Sequence, residues 1–93
     1  MAILQETSSG ERQVLKPYHV FGRSAVHADC VLLAQNISLI HACAHWRAEQ
    51  WTLTDQSRNG SFVNGRRLVK DEPTPLSLHD EVCFGNLGAA VGS

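Results

Sequence analysis

Apolar residues along this chain come in short runs, separated by residues that favour turns. In Trp51-Thr52-Leu53-Thr54 they alternate with threonine, the period-two pattern of a half-buried strand. The same reading predicts strands over residues 2–6, 12–16, 18–21, 31–33, 41–48, 61–63 and 66–69. Pro17 removes a ladder donor and ends the second of these. Polar turns are expected at residues 7–10 and at Gly22, with a loop at Pro73 and Pro75. Leu76, Leu78, Val82 and Phe84 then suggest a closing hairpin around His79-Asp80. No window carries a helical period, and turn signals recur about every 8–12 residues, which points to an all-β sandwich or barrel.

The stretch from Asp55 to Gly65 contains two Asn-Gly pairs. Asn-Gly tolerates positive φ at both positions, as a two-residue type I′ turn requires. Asn64-Gly65 is therefore read as the turn joining residues 61–63 to residues 66–69. Asn59-Gly60 falls in a loop at one end of the sheet, where Asn59 presents an amide and Arg58 a guanidinium.

Composition narrows the function classes. Ninety-three residues, 43% hydrophobic and 18% charged, make one domain of ordinary globular composition. The formal net charge of −1 gives no global attraction to nucleic acid or to a membrane surface. No apolar run approaches the roughly 20 residues of a membrane helix. The amino terminus lacks a basic n-region and a long apolar stretch, and Cys30, Cys43 and Cys83 form no framework spacing. Free thiols in a cytoplasmic protein are expected. Charge is unevenly placed: Arg58, Arg66, Arg67 and Lys70 lie in a segment, 56–70, without an acidic residue, and make up half of the eight Lys and Arg. That segment is either a charged edge hairpin that resists aggregation or a pocket for an anion such as phosphate.

Three sharper chemistries fail on geometry. His41, Cys43 and His45 alternate, but strand side chains two apart are separated by roughly 6.5–7 Å. The outer pair would stand about 13 Å apart, too far to share a zinc ion. The run from Gly60 to Arg67 nearly spells a phosphate-binding P-loop, yet arginines occupy the Lys and Ser/Thr positions and no helix follows. Ser38, His41 and Asp55 permit a triad on paper without a nucleophile elbow. No catalytic residue, metal site or cofactor is expected.

The motifs together resemble the forkhead-associated (FHA) domain, a β-sandwich module that recognises phosphothreonine. The parts, in order, are Gly22-Arg23, Ser38-x-x-His41, Trp51-x-Leu53-x-Asp55, Ser57-Arg58-Asn59-Gly60-Ser61-Phe62-Val63-Asn64-Gly65 and Asp80-Glu81-Val82-x-Phe84-Gly85. The resemblance implies a sandwich of about eleven mostly antiparallel strands with ligand loops at one end. It implies that Arg23 and Ser38 contact phosphate, that Asn59 holds the peptide backbone, and that Arg58 lies beside it. Asn36 and Leu39 would form a pocket rim. His41 would buttress the loops, with Gly22, Gly60, Asn64 and Gly65 as architectural turn positions.

The chain departs from the family pattern at three points. Leu39 follows the serine where the family has Arg or another polar residue, so one phosphate donor is missing. Ser61 stands for the commoner threonine, a mild change. The domain is placed at residues 1–86, leaving 87–93 as a linker stub or an incomplete last strand, with the favoured expectation that the sequence is a fragment of a larger multidomain protein. The leading functional expectation is a non-catalytic phosphothreonine-peptide-binding adaptor, with a phosphorylated protein or peptide as partner and no direct contact with nucleic acid or membrane. The alternative is a phosphate-independent assembly domain with a degenerate pocket, regulating a larger enzyme or transcription factor.

Overall fold

The computed structural model describes residues 2–92 apart from Ser8, Gln35 and Asn86. Its strands are β1 (Ile3–Glu6), β2 (Arg12–Val14), β3 (Tyr18–Gly22), β4 (Cys30–Val31), β5 (Ala42–Arg47), β6 (Gln50–Asp55), β7 (Ser61–Val63), β8 (Arg66–Arg67), β9 (Thr74–Pro75), β10 (Glu81–Phe84) and β11 (Leu87–Gly92). They form a six-stranded sheet in the order β2-β1-β11-β10-β7-β8 and a five-stranded sheet in the order β4-β3-β5-β6-β9. Neighbours are antiparallel except β3 and β4. No helix of the described residues is long and apolar enough to cross a membrane.

The two sheets bury alternate residues against each other, as a sandwich requires. Phe21 of β3 stacks on Phe84 of β10 with ring centroids 4.9 Å apart, joining the layers at their centre. Ile37, Leu53 and Val82 are fully buried around them. Cys30 and Cys43 are buried and Cys83 half-buried, all three as free thiols. Burial, with Glu6 and Glu11 nearby, pushes the Cys30 thiol up to about 11, which keeps it protonated and unreactive at neutral pH.

Turn chemistry explains one hairpin and misses another. Asn64 and Gly65 both have positive φ, at 51° and 81°, as a type I′ turn between β7 and β8 requires. The Asn64 side chain adds two bonds: its Nδ2 donates to Asp80 Oδ1 at 3.0 Å, and its Oδ1 accepts from Glu81 N–H at 2.9 Å. The β5–β6 hairpin also turns on two residues of positive φ, but these are Ala48 and Glu49. The ladder from Ala42↔Asp55 to Arg47↔Gln50 imposes that conformation on residues with no preference for it.

Three expectations need correction. Residues 87–92, set outside the domain as a linker stub or an incomplete last strand, form β11 inside the six-stranded sheet, paired with β1 from Ile3↔Gly92 to Glu6↔Ala89 and with β10 from Glu81↔Ala90 to Phe84↔Leu87. Its inward residues, Ala89 and Val91, carry little apolar bulk, so the pattern is faint in the sequence. The closing hairpin around His79-Asp80 is absent. Residues 76–80 instead carry the chain from β9 in one sheet to β10 in the other, held by Ser77 N–H donating to Asp80 Oδ2 at 2.8 Å. Nor is 31–33 a buried strand: β4 is a two-residue edge in which Cys30 is buried, while Leu33 beyond it is 84% exposed. The turn at residues 7–10 includes Ser8, which lies outside the described residues, as do Asn86 and Ser93 of the tail.

His19 gives the fold a pH dependence. It is buried on β3, accepts from Lys16 N–H at Nδ1 (3.1 Å), and its Nε2 has no partner. Burial pushes its pKa below the ordinary 6.5, with Asp29 partly opposing and Lys16 adding to the fall. Above 6.5 both folded and unfolded chains keep this group neutral. As pH falls from 6.5 toward the depressed folded value, the unfolded chain takes up the proton first, so stability drops. Thermal denaturation is expected to show a falling Tm below about pH 6.5. The slope should shrink in His19→Gln whatever that variant's absolute Tm; an unchanged slope would remove His19 as its source.

Candidate functional site

Three loops meet at one end of the sandwich: the one after β3, the one before β5 and the one between β6 and β7. Their backbones are joined directly. Arg23 N–H donates to Ser38 O at 2.9 Å, Ser24 N–H to Leu39 O at 3.2 Å, and His41 N–H to Phe21 O at 2.8 Å. Gly22 makes this approach possible, because a Cβ there would lie 2.1 Å from Leu39 O and 2.8 Å from its carbonyl carbon. The requirement at Gly22 is therefore space.

Ser38 is the junction. Its carbonyl takes Arg23 N–H, its Oγ accepts from Arg58 N–H at 3.1 Å, and its own N–H donates to His41 Nδ1 at 3.1 Å. Since the hydroxyl oxygen acts as acceptor toward Arg58, its proton is left to donate elsewhere. Asn59 Nδ2 donates to Asn36 O at 3.0 Å, tying the third loop to the second. Asn36 in turn lies over Gly85, where a Cβ would come within 2.6 Å of its Nδ2. The side chains of Arg23, Arg58, Asn59 and Leu39 are exposed, and Ser38 and Asn36 are half-buried. Leu39, 59% exposed, places an apolar side chain on this edge.

Beneath these exposed groups lies a buried layer of bonds. His41 has no exposed surface. Its Nδ1 accepts from Ser38 N–H, which puts the proton on Nε2, and Nε2 donates to Gly60 O at 2.9 Å. The ring packs edge-on against Phe84, centroids 5.8 Å apart. One imidazole thus links the second and third loops and leaves no nitrogen free for a metal or a ligand. Cys43, two residues on, points to Gln56 Oε1 at 3.9 Å.

Asp55 is a second organiser, a role that sequence reasoning did not assign to it. Its buried Oδ1 accepts from Ser57 N–H (3.1 Å), Ser57 Oγ (2.5 Å) and Ser61 Oγ (2.8 Å). Ser57 Oγ itself accepts from Gly60 N–H at 2.7 Å. These bonds shape the loop that presents Arg58 and Asn59. The only hint in the sequence was an Asp-x-Ser spacing that allows a side chain to bond the backbone two residues on. Gly60 adopts φ +100°, a conformation that strains other residues, whereas Asn59 is not among the residues of positive φ. Within the first Asn-Gly pair, then, only the glycine serves the turn.

The four cations of 56–70 do not act as one group. Arg58, Arg67 and Lys70 line a hollow of about 540 Å³ with Ser38, Asp55 and Ser57. Arg66 is not among them; it lines a neighbouring depression with Asn64, Glu72 and Asp80, which Arg67 also borders.

Comparison with known proteins agrees with this architecture. Among curated proteins, the chain is 34% identical over 68 residues to the protein phosphatase 1 regulatory inhibitor subunit PPP1R8 homolog of Arabidopsis thaliana, a match covering 71% of the chain and 18% of that relative. It is 33% identical over 88 residues to nibrin of Danio rerio, covering 88% of the chain and 10% of that relative. The chain therefore spans a small part of the curated relatives it matches. A solved structure of the N-terminal FHA domain of S. cerevisiae Rad53p with a phosphothreonine peptide matches its fold with a TM-score of 0.86 at 19% identity, over 98% of this chain and 91% of that one. The sequence model of the FHA domain matches residues 19–85, from β3 through the end of β10, and the chain belongs to the FHA domain family.

Proposed function

We propose that this domain captures a phosphothreonine in an extended segment of a partner protein, by binding alone. Arg23 supplies a charge-assisted contact to the phosphate, Ser38 donates its hydroxyl proton to a phosphate oxygen, and Asn59 uses its remaining amide groups on the peptide backbone. Arg58 adds a second guanidinium on the same wall. The observation that carries the reading is the junction at Ser38. Backbone bonds to Arg23 and Arg58 hold two guanidinium-bearing residues beside a hydroxyl with a proton to give. Such preorganisation lowers the entropic cost of binding a charged group. Family membership supports the same reading, and a relative of this fold is described with a phosphothreonine peptide.

Calorimetric titration with a phosphothreonine peptide library, alongside phosphoserine and unphosphorylated counterparts, tests it. Binding is expected to require the phosphate and to weaken about 10- to 100-fold in Arg23→Ala, the range for losing a charged hydrogen bond. Leu39→Arg is expected to tighten binding by restoring a donor beside Ser38. Affinity that ignores the phosphate, or that survives Arg23→Ala unchanged, would instead support a phosphate-independent assembly surface centred on exposed Leu39.

A further inference from the structure

The far end of the hollow, at Arg67 and Lys70, has no part in the phosphothreonine contacts proposed for Arg23, Ser38, Arg58 and Asn59. The hollow shares Ser38 and Arg58 with that site and continues past them to Arg67 and Lys70. We propose that it is a second anion subsite, which takes a carboxylate or a further phosphate carried by the same peptide. The proposal rests on the phosphothreonine reading and extends it.

Charge is the first argument. Among the described residues the ion pair joins Lys16 to Asp29, so Arg58, Arg67 and Lys70 have no carboxylate partner. Asp55 also lines the hollow, but its Oδ1 is already engaged by three donors. Three cations against one carboxylate leave the walls at +2, in a chain whose formal net charge is −1.

Placement is the second. Arg67 lies across Gly60: a Cβ on that glycine would come within 3.0 Å of Arg67 Nε and 3.2 Å of Cζ. The bare glycine therefore lets the guanidinium rest on the loop that carries Asn59. Lys70 is held beside Asp55 by a parallel bridge, and Asp71 N–H donates to Asp55 O at 2.8 Å. Both cations thus start from fixed backbone. If the charges served only to protect the edge strand β8 from aggregation, they would not need to gather on one hollow. Arg66, which does not line the hollow, is left for that duty. A nucleic acid is the weaker occupant, because no aromatic side chain lines the hollow for bases to stack on.

The test compares a phosphothreonine peptide with neutral flanks to versions carrying glutamate or a second phosphothreonine at successive flanking positions. Each is titrated into the native domain and into the double variant Arg67→Gln/Lys70→Gln, with circular dichroism confirming the fold of both. One flanking position is expected to raise native affinity about tenfold or more. The double variant is expected to lose that gain while binding the neutral-flank peptide as before. A gain from phosphate much larger than from glutamate assigns the hollow to a second phosphate, and equal gains assign it to an acidic side chain. No gain at any position, or a gain that persists in the double variant, overturns the subsite and leaves the phosphothreonine reading intact. Failure of every peptide to bind overturns that reading, and the subsite with it. Affinity for a single-stranded oligonucleotide that the double variant loses, with no response to peptide charge, would overturn it in favour of nucleic acid.

Discussion

Gly22→Ala is expected to destabilise the domain by about 2–3 kcal/mol or more and to abolish phosphopeptide binding. The added methyl would sit 2.1 Å from Leu39 O and 3.1 Å from Ile40 Cα, both backbone atoms that no rotamer change can move. One of two things must give. Either β3 pulls away from the 38–40 loop, or that loop shifts and breaks the bonds from Arg23, Ser24 and His41. Both displace Ser38 from Arg23. For a chain of this length the loss corresponds to a fall in Tm of roughly 10–20 °C, readable by circular dichroism. Gly65→Ala is the control. Its Cβ meets nothing within 4 Å, so it suffers only the strain of φ +81° and leaves the loops in place. Equal effects from the two alanines would show that space at Gly22 is not what joins the first two loops.

The contrast between these glycines bears on what could be read from the sequence. Asn64-Gly65 was legible because a type I′ turn demands a left-handed backbone that few residue types accept. Ala48-Glu49 adopts the same backbone with none of those residues, because the six-pair β5–β6 ladder outweighs local preference. Strand β11 was left open between a linker stub and an incomplete last strand for a related reason: Leu-Gly-Ala-Ala-Val-Gly alternates inward and outward correctly, but with side chains too small to mark a strand. Ordered motifs recovered the fold where periodicity could not.

The site was legible in its exposed members and obscure in its buried ones. Arg23, Arg58 and Asn59 stood out beside turn signals, Ser38 only through the family resemblance, and the structure brings the four to one edge. Only an Asp-x-Ser spacing sets Asp55 apart from a solvated carboxylate at a strand end, because its role depends on Ser57 and Ser61 folding back over it. The cluster of four cations was read as one feature, yet Arg66 and Arg67 alternate along β8, and of the two only Arg67 lines the hollow with Arg58 and Lys70. Side-chain direction on a two-residue strand follows from its pairing with β7, which the sequence does not print.

His41→Ala is expected to be the more damaging substitution, at about 3–5 kcal/mol, although the residue is fully buried beneath the loops. Three losses combine. Ser38 N–H is left buried without its acceptor, Gly60 O keeps only the longer 3.3 Å bond from Gly85 N–H, and a cavity opens against Phe84. A domain of this size has total stability of roughly 5–14 kcal/mol, so the loss is expected to show as a large fall in Tm. The functional consequence separates a buttress from a contact. If His41 acts only by holding Ser38 and Gly60, whatever affinity the refolded variant retains should depend on the phosphate as in the native domain. Its amide exchange should rise first at residues 38 and 60, ahead of the strands. Asp55→Ala is expected to loosen residues 57–61 in the same way while sparing Ser38, since its side-chain bonds go to Ser57 and Ser61. Uniform exchange across all three loops in both variants would mean that they form one cooperative unit, and that neither Asp55 nor His41 has a private share of the binding edge.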